Sequence, residues 1–165
     1  MIEKAEESFG GIDILVINAG VNYDRENIEN SNRADFKSTM DVNFYGAYYC
    51  AHSAIPFLKK RGAGKIITIG SGLGHRGYPG GAAYSCSKAA LWMLTRILAQ
   101  ELIEYNISVN ELIPGPVETS IDNNAKISND KNGGKWSQGN LVWLQYVLEE
   151  SSTDTENPEC QPLFL

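Results

Sequence analysis

The sequence has few of the residues that build disulfide frameworks and metal sites. Its 165 residues include three cysteines, Cys50, Cys86 and Cys160, and two histidines, His52 and His75. The cysteines are far apart and odd in number, which disfavours a disulfide framework and indicates a reducing cytoplasm. Neither the cysteines nor the histidines show the spacing of metal ligands, so no metal site is predicted.

Long apolar runs and an excess of positive charge are also missing. No run approaches the roughly 20 apolar residues of a transmembrane helix, and the polar opening MIEKAEESFG lacks a signal-peptide core. The formal net charge of −6 disfavours nucleic acid as a partner, since a phosphate backbone requires a basic face. With 42% hydrophobic residues, the chain is suited to one globular domain with a core of its own.

Apolar runs alternate with helical patterns along the chain, which predicts an α/β fold. The predicted strands are IDILVIN (residues 12–18), GKIITIGS (64–71) and ISVNELIPG (107–115). Each run is nearly continuous, as in the parallel strands of a sheet covered on both faces. Helices are predicted over residues 33–59 and 82–104. The order strand, helix, strand, helix, strand is typical of an open, doubly wound sheet.

The remaining segments are assigned from their polarity and turn residues. Residues 21–32 are rich in asparagine and are predicted to form a loop. Pro56 is expected to kink or end the helix that contains it. A flexible loop is predicted over residues 120–140, followed by a short helix and tail over 141–165. The chain is therefore expected to be one domain with its core at residues 10–119.

The stretch AAYSCSKAAL places Tyr84 and Lys88 four residues apart in the second predicted helix. This spacing puts both side chains on one helix face. The leucines from Leu91 to Leu102 share that sector, so the pair is predicted near the carboxyl ends of the strands, where open sheets bind ligands. A neighbouring ammonium favours a phenolate, which suits a tyrosine to proton exchange. An exposed helix pair is the simpler interpretation of the spacing taken alone.

Other candidate site residues lie at the ends of the predicted strands. They are Asn18, Ala19 and Gly20 after the first strand, Ser71 at the end of the second, thirteen residues before Tyr84, and Pro114, Gly115 and Thr119 after the third. Asn43 lies within DVN in the first predicted helix. Taken singly, each also fits a structural role, such as a turn residue, a strand stop or a side chain bonded to backbone at a helix irregularity.

With the Tyr84–Lys88 pair, this ordered set resembles the single-domain type of the short-chain dehydrogenase/reductase family, from about Gly10 to Thr119. The resemblance implies interconversion of a carbonyl and a secondary alcohol by hydride transfer with NAD or NADP. It implies Tyr84 as catalytic acid/base, Lys88 as the residue that lowers the tyrosine pKa and bonds the nicotinamide ribose, and Ser71 as the hydroxyl that holds the substrate oxygen. Asn43 would support a water in the proton relay. The positions expected beside the cofactor are Asn18, Ala19, Gly20, Tyr84, Lys88, Pro114, Gly115 and Thr119.

The sequence departs from the family pattern in two places. Ile17 stands where the family often has a further asparagine before Ala-Gly. The glycine-rich turn T-G-x-x-x-G-x-G, which receives the cofactor pyrophosphate, does not occur in the sequence. The expected fold is therefore a partial Rossmann-like domain without its first strands and its last strand, in which IDILVIN forms an exposed apolar edge.

Three interpretations stay open from the sequence. The first is an oxidoreductase acting on a small carbonyl or alcohol, with neither nucleic acid nor membrane as partner. The second is a catalytically inactive homologue or fragment that serves as a binding or assembly partner. The third is a relative of the sugar-nucleotide epimerases, which the NAG strand end and the Ser71–Tyr84 spacing disfavour. The helices at 33–59 and 82–104 are candidate surfaces for a homo-oligomer.

Overall fold

The structure, a computed structural model, describes residues 1–115, 121 and 142–144 of the chain. The helices in this part are α1 (Ile2–Phe9), α2 (Arg33–Met40), α3 (Gly46–Arg61) and α4 (Ala82–Leu102). The strands are β1 (Ile14–Ile17), β2 (Gly64–Ile69), β3 (Ile107–Ile113) and β4 (Val142–Leu144). Short 3-10 turns lie at Ile28–Asn30, Gly72–Gly74 and Ile103–Tyr105, and a π-helical turn lies at Asp41–Tyr45.

The four strands form one sheet in the order β1-β2-β3-β4. β1, β2 and β3 run parallel, in a register that sets Val16 beside Ile67 and Ile67 beside Asn110. β4 runs antiparallel to β3, with Trp143 opposite Leu112. Parallel strands joined through α3 and α4 confirm the predicted α/β class. Their carboxyl ends lie along one edge of the sheet, which is where the candidate site residues were predicted.

The core lies between one face of the sheet and helices α3 and α4. Along β1, Leu15 and Ile17 turn towards the helices and are buried, whereas Ile14 and Val16 are 57% and 55% exposed. The buried core residues are Leu15, Ile17, Ala47, Ala51, Ala54, Leu58, Ile66, Leu91, Leu98, Leu102, Ile107 and Val109. Within the described residues, β1 thus has one covered face instead of the predicted two. It pairs only with β2, so it forms the expected apolar edge.

The helix predicted over residues 33–59 is interrupted by a π-helical turn. Asn32 caps the start of α2, because its Oδ1 accepts hydrogen bonds from the backbone amides of Ala34 at 2.9 Å and Asp35 at 3.3 Å. The wider turn Asp41–Tyr45 separates α2 from α3. A π turn adds a residue to the helical repeat, redirects the side chains that follow and is frequent at functional sites.

Pro56 lies inside α3, which continues past residue 59, so of its two predicted effects it does not end the helix, and a kink stays a prediction. The helix continues to Arg61 and ends at Gly62, whose φ of 81° is in the left-handed region that glycine favours. Ala54 and Leu58, on either side of the proline, are fully buried. Their packing against the core holds the helix through a position where proline removes one backbone hydrogen bond.

The helix α4 agrees closely with its prediction. It runs from Ala82 to Leu102, and the 3-10 turn Ile103–Tyr105 continues it by one turn. Three of the four leucines in the predicted stripe are buried, and Leu94 is partly buried against the same core. The stripe therefore faces the sheet as predicted, which directs the start of the helix towards the carboxyl ends of the strands.

Most of the chain after Gly115 lies outside the described residues, including Thr119 and nearly all of the predicted loop at 120–140. Val142–Leu144 is described and forms a strand, so the helix predicted within 141–165 is wrong at these three positions. Valine and tryptophan suit a pleated strand, and the outer edge of β3 offers unpaired backbone groups to it. The domain boundary at 119 stays a prediction.

The packing of the core predicts unequal costs for two isoleucine truncations. Ile66→Ala removes a side chain that is 0% exposed and should lower the free energy of unfolding by about 2–5 kcal/mol, the usual cost of a core cavity. Ile14→Ala, the matched control on the open face, should cost less than about 1 kcal/mol. Denaturant titration of both variants measures the difference, and equal losses would contradict the assignment of the covered face.

Candidate active site

The Tyr84–Lys88 pair lies on the first turns of α4, as the sequence predicts. The Lys88 ammonium is 5.7 Å from the centroid of the Tyr84 ring, so one turn of helix brings the two side chains together. Tyr84 is half-buried, and Lys88 is only 4% exposed. The simpler interpretation, an exposed helix pair, is therefore wrong for the lysine.

The buried Lys88 ammonium is held by backbone and by charge. Its Nζ donates a hydrogen bond of 2.7 Å to the carbonyl oxygen of Ile69, the last residue of β2. Burial lowers the pKa of Lys88 from 10.5 to about 8, and the negative charge of Glu111 opposes this shift. The lysine is therefore still mostly protonated at neutral pH.

Asn43 lies in the π-helical turn and joins two parts of the site. Its Oδ1 accepts a hydrogen bond of 2.7 Å from the Val21 amide, and its Nδ2 donates to the Val21 carbonyl at 2.9 Å. The same Nδ2 donates to the Ser87 hydroxyl at 2.9 Å. Asn43 is 1% exposed, and these bonds tie the segment that leaves β1 to α4.

The segment Asn18–Gly20 passes directly beside this cluster. A methyl group on Gly20 would lie 3.6 Å from Lys88 Nζ and 3.7 Å from Asn43 Oδ1, which is ordinary contact distance. Asn18 and Ala19 precede it at the carboxyl end of β1 and are exposed. The fold thus brings together three parts of the predicted site that lie up to seventy residues apart in the sequence.

Ser71 lies two residues beyond the carbonyl that binds Lys88. Its Oγ accepts a hydrogen bond of 3.2 Å from the Leu73 amide, so it begins the 3-10 turn Gly72–Gly74. This contact is that of a turn residue, as the structural interpretation of Ser71 predicts. The side chain is half-buried at the carboxyl end of β2, on the same sheet edge as Lys88.

Pro114 and Gly115 follow β3 at the same sheet edge. The Gly70 amide donates a hydrogen bond of 2.9 Å to the Leu112 carbonyl, which places the ends of β2 and β3 side by side. Pro114 is half-buried and Gly115 is exposed. All predicted site residues within the described part therefore lie on or beside the carboxyl edge of the sheet, and Thr119 lies outside that part.

Sequence reasoning missed Glu111 and expected His75 only as a surface or lightly buried residue, which agrees with its 25% exposed side chain. Glu111 is 6% exposed, and its carboxylate lies 3.2 Å from Nε2 of His75. Glu111 shares the inward face of β3 with Ile107 and Val109, so a glutamate at an inward strand position was the available signal. Burial raises the pKa of Glu111, whereas His75 and then Lys88 lower it.

In residues 1–115, 121 and 142–144, no group of three or more His, Cys, Asp or Glu side chains is placed to hold a metal ion. No helix in the same part is both long and apolar enough to cross a bilayer. Cys50 and Cys86 are free thiols.

The family model for short chain dehydrogenases matches residues 1–130 of the sequence. The chain belongs to this family. An uncharacterized oxidoreductase of Thermotoga maritima is 41% identical over 119 residues, an alignment that covers 72% of this chain and 47% of that protein. The chain thus spans about half the length of the curated relatives it matches.

Solved structures of short-chain dehydrogenases share the fold. A gluconate 5-dehydrogenase from Burkholderia cenocepacia, in complex with NADP and tartrate, matches with a TM-score of 0.70 and 35% identity over 73% of this chain and 47% of that one. A carveol dehydrogenase from Mycobacterium avium, in complex with NAD, matches with a TM-score of 0.71 and 28% identity over 73% of this chain and 44% of that one. The sheet and helices described above are therefore those of a Rossmann-like short-chain dehydrogenase domain.

The burial of Lys88 predicts a pH-dependent contribution to stability. Its pKa is about 8 in the fold and 10.5 without burial, so between these pH values the unfolded chain binds more protons than the folded chain. The free energy of unfolding, taken relative to Lys88→Met, should therefore rise from pH 8 to about 10.5, by at most about 3 kcal/mol. Denaturant titration at neutral pH and near pH 10 measures this difference.

Lys37 supplies a control of opposite sign for that experiment. It is exposed, and its hydrogen bond to Asp41 raises its pKa above 10.5. The stability of the wild type relative to Lys37→Met should therefore fall as the pH rises through the folded pKa of Lys37. A Lys88 difference that stays constant with pH would contradict the burial of a charged lysine.

Proposed function

We propose that the chain carries the proton-transfer site of an NAD- or NADP-dependent oxidoreductase that interconverts a carbonyl and a secondary alcohol. One observation carries the proposal: the buried Lys88 ammonium lies one turn from Tyr84 and beside Asn18–Gly20, at the carboxyl edge of the parallel sheet. Open α/β sheets bind ligands at this edge. Family membership supports the same reaction class.

Tyr84 acts as the acid/base in this proposal. In reduction its hydroxyl gives a proton to the oxygen of the carbonyl, and in oxidation the phenolate takes the proton from the alcohol. The Lys88 ammonium, 5.7 Å from the ring centroid, stabilises the negative charge that develops on the phenol oxygen. The Ser71 hydroxyl, on the same sheet edge, donates a hydrogen bond to the substrate oxygen.

The residues around Lys88 fit the nicotinamide end of a dinucleotide. An ammonium has three N–H donors, and the Ile69 carbonyl takes one of them, so donors remain for a ribose hydroxyl. Gly20 leaves a methyl-sized space beside this ammonium. Asn18, Ala19, Pro114 and Gly115 line the same edge, and Thr119 completes the predicted set. When bound, the nicotinamide supplies or accepts the hydride.

Asn43 serves as a positioning residue in this proposal. Both N–H donors of its amide are used, one by the Val21 carbonyl and one by the Ser87 hydroxyl. Its Oδ1 keeps one lone pair besides the bond from the Val21 amide, which is enough to accept from a single water. The contacts therefore favour alignment of Asn18–Gly20 with α4 as its main role, with the predicted relay water as an addition.

A second candidate is an inactive homologue that acts as an assembly partner. The open face of β1 favours it, since Ile14 and Val16 are 57% and 55% exposed. Homo-oligomer formation is proposed for both candidates through α3 and α4. Exposed apolar side chains support it on both helices: Tyr45 just before α3, Tyr48, Tyr49, Met93 and Ile97.

Tyr84→Phe tests the acid/base assignment. The substitution keeps the ring and removes the titrating hydroxyl, so kcat for carbonyl reduction with NADH or NADPH should fall at least about 10²-fold. Cofactor binding should be retained, because no ring atom is lost. Tyr49→Phe, on the exposed surface of α3, is the matched control and should retain wild-type rates. Wild-type kcat in Tyr84→Phe would refute the assignment.

Cofactor binding separates the two candidates. Calorimetry of the folded chain with NAD(H) and NADP(H) should give binding under the first candidate, and Lys88→Ala should weaken it. Absence of binding, together with a concentration-dependent oligomer in sedimentation, would favour the assembly partner. The same calorimetry and sedimentation experiments apply to a longer protein that contains these residues.

A further inference from the structure

Glu111 is one of two buried acidic residues in the described part of the chain, the other being Asp24. The Glu111 side chain is 4% exposed, and Nε2 of His75 lies 3.2 Å from one of its oxygens. The other oxygen, Oε1, has no hydrogen-bond partner among the described residues. Burying a carboxyl group costs free energy unless charge or hydrogen bonds compensate for its lost hydration. The contacts of Glu111 should therefore show what compensates for its burial.

The side chain of Glu111, on β3, packs closely against Gly70, the residue that follows β2. A methyl group on Gly70 would lie 1.8 Å from Oε1 of Glu111, so no residue with a side chain fits while Glu111 keeps this position. Gly70 stands between Ile69, whose carbonyl binds Lys88, and Ser71. The glutamate therefore lies under the short segment that joins two of the candidate site residues.

His75 holds the loop that follows Ser71 against α4. Its ring lies edge-on to Trp92 of α4, with 4.9 Å between the centroids. One residue earlier, a methyl group on Gly74 would lie 2.8 Å from the backbone carbon of Lys88, so the loop rests directly on the helix. The loop from Ser71 is thus held both by the Glu111 carboxylate and by the surface of α4 at Lys88.

We propose that His75 and Glu111 are a pair of positioning residues: Glu111 sets the charge environment of Lys88, and His75 holds Glu111 in place and fixes the Ser71 loop on α4. This inference deepens the proposed function and rests on it for the role of Lys88. The bonds described above place the pair behind the site, so neither residue is assigned contact with the substrate.

The electrostatic directions agree with this geometry. Burial raises the pKa of Glu111, and His75 opposes that shift more strongly than Lys88 does. In turn, Glu111 opposes the lowering of the Lys88 pKa. Of the other described groups beside the ammonium, Tyr84 is titratable, Asn43 is a neutral amide, and β2 presents the Ile69 carbonyl. Glu111 is therefore the acidic group whose removal is expected to lower the pKa of Lys88 further.

The first test measures Lys88 in Glu111→Gln. The Nζ signal of Lys88, assigned with Lys88→Arg, is followed by NMR through a pH titration of the labelled chain. We expect a midpoint near 8 in the wild type and a midpoint about one unit lower in Glu111→Gln, because an opposite charge is lost. Glu101→Gln, an exposed position on α4, is the matched control and should leave the midpoint unchanged.

The second test measures Glu111 in His75→Gln. The carboxyl carbon signal of Glu111, assigned by its through-bond correlations to the Glu111 backbone, should titrate at higher pH once the imidazole that opposes burial is gone. His52→Gln, exposed on α3, is the matched control and should cause no shift. This variant changes a loop residue, so it tests the pair even where Glu111→Gln fails to fold.

These readouts separate the inference from the proposed function. Unchanged midpoints of Lys88 in Glu111→Gln and of Glu111 in His75→Gln would overturn the pair, whatever the activity. Shifted midpoints together with wild-type turnover in Tyr84→Phe would support the pair and refute the acid/base role. In an active protein, Glu111→Gln should also move the alkaline limb of kcat/KM to lower pH in parallel with Lys88, whereas a limb that stays in place would overturn the link to the site.

Discussion

The hydrogen bond from the buried Lys88 ammonium to the Ile69 carbonyl is the constraint on which the rest of the described site depends. An ammonium leaves water only where hydrogen bonds and opposite charge compensate its lost hydration. The hydrogen bond is the 2.7 Å contact with the end of β2, and the opposite charge is the carboxylate of Glu111 on β3. Together they fix the start of α4 at the carboxyl edge of the sheet. Tyr84, one turn earlier, is thereby held at the same edge.

Close approach of the backbone explains the glycines around this lysine better than conformational freedom does. Neither Gly70 nor Gly74 has a positive φ, yet a methyl group would lie 1.8 Å from Glu111 in the first case and 2.8 Å from Lys88 backbone in the second. Gly20 is less crowded, with 3.6 Å to the ammonium. The loop after β2 and the segment after β1 therefore converge on one side chain, which forms a compact site from three separate parts of the chain.

Local patterns predicted much of this arrangement because the properties they report are local. Continuous apolar runs marked β1, β2 and β3, and a leucine stripe marked the sheet-facing side of α4. The same reasoning was wrong where a distant contact outweighs local preference. Val142–Leu144 forms a strand, and not the predicted helix, because β3 offers it an edge to pair with.

The sequence by itself determined the alternation of β1, β2 and β3 with helices and the one-turn spacing of Tyr84 and Lys88, since both follow from residue periodicity. Only the tertiary structure decided that the lysine is buried, that Asn43 bonds Val21 across 22 residues, and that His75 meets Glu111 across 36. Such contacts depend on how the π-helical turn, the loop after β2 and the end of β3 come together. Residue periodicity predicts the secondary structure of each segment separately. It does not predict which side chains of different segments come into contact.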